Sequence, residues 1–76
     1  MAFKRISADP RIMGGVSCIR GTRIPVAMIV RAVADGTPVG RLLEEFPQLT
    51  DADVREALRF AAASVEQRTI PRMKSA

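Results

Sequence analysis

Gly21-Thr22-Arg23-Ile24-Pro25 is the run at which this 76-residue chain changes character. Before it lies a basic, glycine-punctuated stretch of strand-like composition; after it come three helical patterns in succession. Glycine accepts the positive φ that a Cβ resists. A two-residue hairpin loop with Gly at its first central position is the type II′ pattern. Arg20-Gly21-Thr22-Arg23 fits that pattern, with Val16 to Ile19 as the incoming strand and Arg23-Ile24 as the return. Pro25 then presets φ for a first helical position, where its missing N–H is not needed. One short run therefore closes a hairpin, at about residues 12–24, and opens a helix. Two readings of it stand: a plain connector, and a turn that holds Arg20 and Arg23 out to a partner.

Moving toward the C-terminus, Val26, Ile29, Val30 and Val33 recur at i, i+3, i+4 and i+7, which predicts a helix from about Pro25 to Asp35 with Gly36 as its C-cap. Thr37 reads as the N-cap of a second helix with Pro38 as its first residue. Val39, Leu42, Leu43 and Phe46 form its apolar stripe, and Pro47 ends it. The third helix has the clearest start. Thr50 is its N-cap, and Asp53 stands in for the acid of a capping box. Leu49 and Val54 form a hydrophobic staple. Val54, Ala57, Leu58, Ala61 and Val65 continue the stripe. Moving toward the N-terminus, Asp9-Pro10 initiates a turn and Gly14-Gly15 supplies flexible backbone. Phe3 reads as too near the terminus to anchor much.

The expected fold is mainly α: a small N-terminal β-hairpin followed by a three-helix bundle of helix-turn-helix layout. One domain over residues 1–66 carries it, and residues 67–76 form a basic tail. A domain this small is marginal alone, so a second copy or another partner is expected to complete it. No apolar run approaches the ~20 residues of a membrane span. The N-terminal residues lack the apolar core of a signal peptide, so a cytoplasmic location is expected. Cys18 is the single cysteine and there is no histidine, which argues against a structural zinc site and excludes histidine acid–base catalysis. No Gly-rich phosphate loop is present, and no cofactor, metal site or catalytic residue is expected. Cys18 reads as a small apolar strand residue.

Charge is segregated. Residues 1–31 carry Lys4, Arg5, Arg11, Arg20, Arg23 and Arg31 against Asp9, a net of +5. Residues 32–66 carry Arg41, Arg55 and Arg59 against Asp35, Glu44, Glu45, Asp51, Asp53, Glu56 and Glu66, a net of −4. Arg68, Arg72 and Lys74 bring +3 in the tail. Such asymmetry points to nucleic acid or an acidic protein as partner, against the plainer reading of a solvated basic surface. In a conventional helix-turn-helix the start of the third helix reads base edges. Here Asp51, Asp53 and Glu56 would oppose phosphate. DNA contact is therefore expected from the basic head: Arg20 and Arg23 on a ribbon in the major groove, with Lys4, Arg5 and Arg11 on phosphates. Arg68, Ile70, Arg72 and Met73 in the tail form a candidate docking segment for an acidic partner. The lack of Tyr and Trp counts against a single-strand binder that relies on stacking.

Asp9-Pro10, Gly14-Gly15, the run Ile19-Arg20-Gly21-Thr22-Arg23-Ile24-Pro25-Val26, Gly36, Phe46-Pro47 and Leu49-Thr50 together resemble the bacterial family called domain of unknown function 433, over about residues 5–63. The resemblance implies a homeodomain-like helical fold. It also implies a role similar to the VapB class of antitoxins in type II toxin–antitoxin pairs. The partner would be a PIN-like ribonuclease toxin, with repression of the shared operon by a dimer bound to operator DNA. Two departures are mild. Phe46-Pro47 stands where Tyr-Pro is usual, and Gly40 weakens the second helix by up to about 1 kcal/mol relative to Ala. The alternative is a protein-interaction module that does not bind DNA.

Overall fold

A computed structural model describes residues 3–11 and 13–67. Two short strands, β1 (Ile6–Ser7) and β2 (Cys18–Ile19), precede three helices, α1 (Val26–Ala34), α2 (Val39–Glu45) and α3 (Asp51–Gln67). The architecture is mainly helical with an antiparallel strand pair at its head, as the residue pattern predicts. β2 lies within the expected strand Val16 to Ile19, but its main partner is not the expected one. β2 pairs with β1 in the register Ile6↔Ile19 and Ser7↔Cys18, and the chain between them passes through a 3₁₀ turn at Met13–Gly15. The anticipated return at Arg23-Ile24 is reduced to one bridge, Cys18↔Pro25. The Ile19 N–H donates to the Ile24 carbonyl at 3.0 Å and the Val26 N–H to the Ser17 carbonyl at 2.9 Å. β2 is thus flanked on both sides, and its side chains, Cys18 and Ile19, are buried. Val16, placed in the strand by composition, lies outside it and is 43% exposed.

The turn at Gly21 also differs from the type II′ expectation. The Thr22 N–H donates to the Ile19 carbonyl at 3.0 Å, so the four residues are Ile19-Arg20-Gly21-Thr22. Gly21, at φ 81°, occupies the third of them, where a type II turn demands positive φ. The Thr22 hydroxyl fastens the turn from inside, donating to the Ile19 carbonyl at 2.8 Å and accepting the Ile24 N–H at 3.0 Å.

Both prolines sit one position outside the helices they were expected to begin. Pro25 (ψ 141°) and Pro38 (ψ 144°) are extended N-cap residues without side-chain caps. Pro25 is held extended by the ladder with β2. Thr37 does not cap α2 as expected, because Pro38 occupies the N-cap position; its N–H instead closes the end of α1 on the Ala32 carbonyl at 3.0 Å. With Gly36 (φ 89°) donating to the Val33 carbonyl, this is a Schellman ending. α3 begins as the sequence dictates. The Thr50 N–H donates to Asp53 Oδ2 at 3.0 Å, and the Asp53 N–H to Thr50 Oγ1 at 3.1 Å. Leu49 and Val54 are both buried beside this capping box.

The core joins Ile6, Ile19, Ile24, Val26, Ile29, Leu42, Leu49, Val54 and Ala57. Ile19, Ile29 and Val54 are the largest fully buried side chains. α1 packs chiefly on α3. The outer stripe residues Val30, Val33, Leu43, Phe46 and Leu58 are half-buried. Phe3 corrects its expectation: its ring meets Phe60 edge-on, with centroids 5.3 Å apart and planes at 88°. The N-terminal arm is therefore stapled to the middle of α3. Among the described residues no helix is long and apolar enough to cross a membrane.

Candidate functional site

The five basic residues expected to contact DNA occupy different situations. Arg20 reaches back along β1: its Nε donates to the Lys4 carbonyl at 2.6 Å and its guanidinium NH2 group to the Ile6 carbonyl at 3.0 Å. Its own N–H donates to the Arg5 carbonyl at 2.7 Å. Arg20 therefore clamps β1 to β2 rather than projecting freely from the turn. Arg5 is held against the start of α3. Its backbone N–H donates to Glu56 Oε2 at 2.7 Å, and its guanidinium NH1 group donates to Asp53 Oδ1 at 3.1 Å. Asp53 is buried, so one carboxylate serves both the capping box and the ion pair. Arg11 folds onto Asp9 through its N–H, Nε and NH2 groups at 2.9, 3.2 and 3.2 Å. The Arg11 side chain, then its backbone N–H, hold the Asp9 carboxyl below its ordinary value of 3.8. Lys4 and Arg23 are exposed, and their side chains take no hydrogen bond or ion pair among the described residues.

The acidic start of α3 is likewise engaged internally. Asp51 Oδ2 accepts from Arg55 Nε at 2.8 Å, Asp53 binds Thr50 and Arg5, and Glu56 binds the Arg5 backbone. The charges that would oppose phosphate there are paired at least in part. Arg68, Ile70, Arg72 and Met73, the tail positions expected to dock a partner, lie outside the described residues.

Arg23 opens onto a cleft of about 600 Å³ whose wall includes Ser7, Gly21, Ile24, Phe46 and Gln48. It joins β1, the glycine turn and the segment between α2 and α3. Sequence reading singled out Arg23 but missed Ser7, Phe46 and Gln48 as its neighbours. They come from two parts of the chain remote from Arg23, β1 and the α2–α3 segment, and only the Phe46-Pro47 pair gave a local sign. A second hollow, of about 410 Å³, runs between α1 and α3 over Val16, Val26, Val30, Phe60 and Ala61, with Arg31 at its rim.

A strand pair set on three helices, with α2 and α3 joined by a short turn, defines a homeodomain-like trihelical domain. Residues 6–61 match the family model described as "Protein of unknown function (DUF433)", and the chain belongs to that family. It is 39% identical over 59 residues to the uncharacterized protein y4eO of Sinorhizobium fredii, covering 78% of this chain and 27% of that protein. The chain thus spans about a quarter of that relative's length. Its fold is similar to the crystal structure of a DUF433 member protein from Anabaena variabilis, with a TM-score of 0.76 and 36% identity. That match covers 83% of this chain and 62% of the other.

Proposed function

We propose that this protein is an antitoxin-like member of a type II toxin–antitoxin pair, acting in the cytoplasm. On this reading it neutralises a PIN-like ribonuclease toxin and binds operator DNA as a homodimer. The supporting observation is the division of charge. The α3 acids are engaged by Arg5, Arg55 and Thr50, while Lys4 and Arg23 at the head remain unpaired among the described residues. An anionic partner therefore meets cations at the head without facing a row of free carboxylates at the start of α3. Neutralisation is assigned to the tail, where Arg68 and Arg72 would enter the acidic metal site of the nuclease, with Ile70 and Met73 as apolar anchors. Co-expression with a PIN-like nuclease encoded next to this gene tests it. The full chain should restore growth, and a chain lacking residues 67–76 should fold yet fail to do so. Growth restored by the shortened chain would refute the tail assignment.

A module that binds protein and not DNA is the second reading. It is favoured by Arg5, Arg11 and Arg20, three of the five expected DNA contacts, being engaged within the fold. Gel shift with DNA from upstream of the gene separates the two. Under the first reading, Lys4→Glu with Arg23→Glu weakens binding and lowers its salt slope by about 0.9 per lost phosphate contact. Under the second, the unaltered chain gives no shift at modest salt.

A further inference from the structure

We propose that the cleft beside the Gly21 turn is a binding site for one phosphorylated nucleotide unit, with the phosphate on Gly21–Arg23 and the base against Phe46. Three observations point to an anion at its turn end. Arg23 lines the cleft and is exposed without a partner among the described residues, and a guanidinium offers the forked donors that suit phosphate. The backbone N–H groups of Gly21 and Arg23 have no acceptor among the described residues, whereas those of Arg20, Thr22 and Ile24 are bonded within the fold. Unpaired N–H groups in a turn form the kind of concavity that takes up anions. A Cβ built at Gly21 would meet nothing within 4 Å, so a ligand oxygen has room to approach the backbone there.

The remaining wall suits a base. Phe46 is half-buried, packed against the core while lining this cleft. Aromatic faces accept any base by stacking, so Phe46 takes the place of the Tyr or Trp that the chain lacks. Gln48 is exposed on the same wall, and its amide presents both a donor and an acceptor to a base edge. Ser7 adds a hydroxyl, and the roughly 600 Å³ volume falls in the range of small-molecule sites. An acidic peptide would satisfy Arg23 but would leave the Phe46 face and the Gln48 amide without matched chemistry. The nucleotide is either free or part of a strand with an unpaired base. The site shares Arg23 with operator binding but does not depend on toxin neutralisation or on a duplex operator.

NMR of the isotopically labelled full chain tests the assignment. The probes are a nucleoside monophosphate, a short single-stranded oligonucleotide, inorganic phosphate and an oligoglutamate peptide. The expected result is shifts at the Gly21 and Arg23 amides, the Phe46 ring and the Gln48 side chain with a nucleotide probe, and at Gly21 and Arg23 alone with phosphate. Saturation by the monophosphate marks a free nucleotide as ligand; saturation by the oligonucleotide alone marks a strand. Phe46→Leu, which keeps an apolar group on the core, should weaken nucleotide binding about five- to hundredfold. Arg23→Gln, at an exposed position, should abolish the phosphate shifts and lower the oligonucleotide salt slope by about 0.7. Silence of the cleft toward both nucleotides, equal shifts with oligoglutamate, or unchanged affinity in Arg23→Gln would each overturn the proposal. A failed gel shift with duplex DNA counts against operator binding and leaves this result untouched.

Discussion

Arg20 shows how one side chain is committed by its neighbours. Its guanidinium bonds the carbonyls of Lys4, just before β1, and of Ile6 within it. A lysine keeps the charge but not the planar fork that spans two carbonyls. Arg20→Lys should therefore lower stability by about 1–2 kcal/mol in urea denaturation. If Arg20 acted only as a cation for DNA, Lys would leave stability unchanged. Asp9 gives a second test at this scale. Its folded pKa is depressed by Arg11, so whatever stability it adds is present above the unfolded pKa and is lost as pH falls through the folded one. The Asp9 side-chain carbon should titrate by NMR with a midpoint below 3.8. Arg11→Gln should raise that midpoint, and an unmoved midpoint would dismiss the Arg11 pair.

Among the elements, α3 depends most on a single group. Asp53 accepts from Thr50 and Arg5 while buried, so Asp53→Ala removes both a cap and the ion pair that holds the N-terminal arm. A loss of about 1–3 kcal/mol is expected, read as a lower melting temperature. Thr50→Ala should share part of that loss, because the two belong to one box. This element was also the most legible in the sequence, because a capping box and a staple are local patterns a few residues long. The Gly36 ending of α1 was legible for the same reason. The strand pair was not. Val16 to Ile19 and Arg23-Ile24 look like a hairpin by composition, yet the full partner is Ile6–Ser7. Nothing in a two-residue strand states its register, which is set by burying Ile6 and Ile19 together. Phe3 was underestimated because its partner Phe60 is remote in the chain. The cleft at Arg23 was hidden likewise, since Phe46, Gln48 and Ser7 meet Arg23 only once all three helices are packed.

At the scale of the molecule, the arm, the turn and the helices share one core, with Ile6 and Ile19 in the same cluster as Ile29, Leu42 and Val54. The arm should thus open with the whole domain. Hydrogen exchange at the Arg20 amide, bonded to the Arg5 carbonyl, is expected to report the same opening free energy as amides in the middle of α3. Much faster exchange at Arg20 would make the arm a separate, weakly held unit.

The staple of Phe3 and Arg5 onto α3 bears on how the chain is made. The Arg5 bonds to Asp53 and Glu56 span 48 and 51 positions, and synthesis runs from the arm toward α3. At ordinary rates of translation the arm waits about 3–10 s for these partners to be added. Through that interval Ile6, Ile19 and Phe3 have no finished core to enter. The nascent chain carries its apolar head uncovered until α3 clears the ribosome, and a chaperone that shields short apolar segments would find its binding site there, within the first twenty residues.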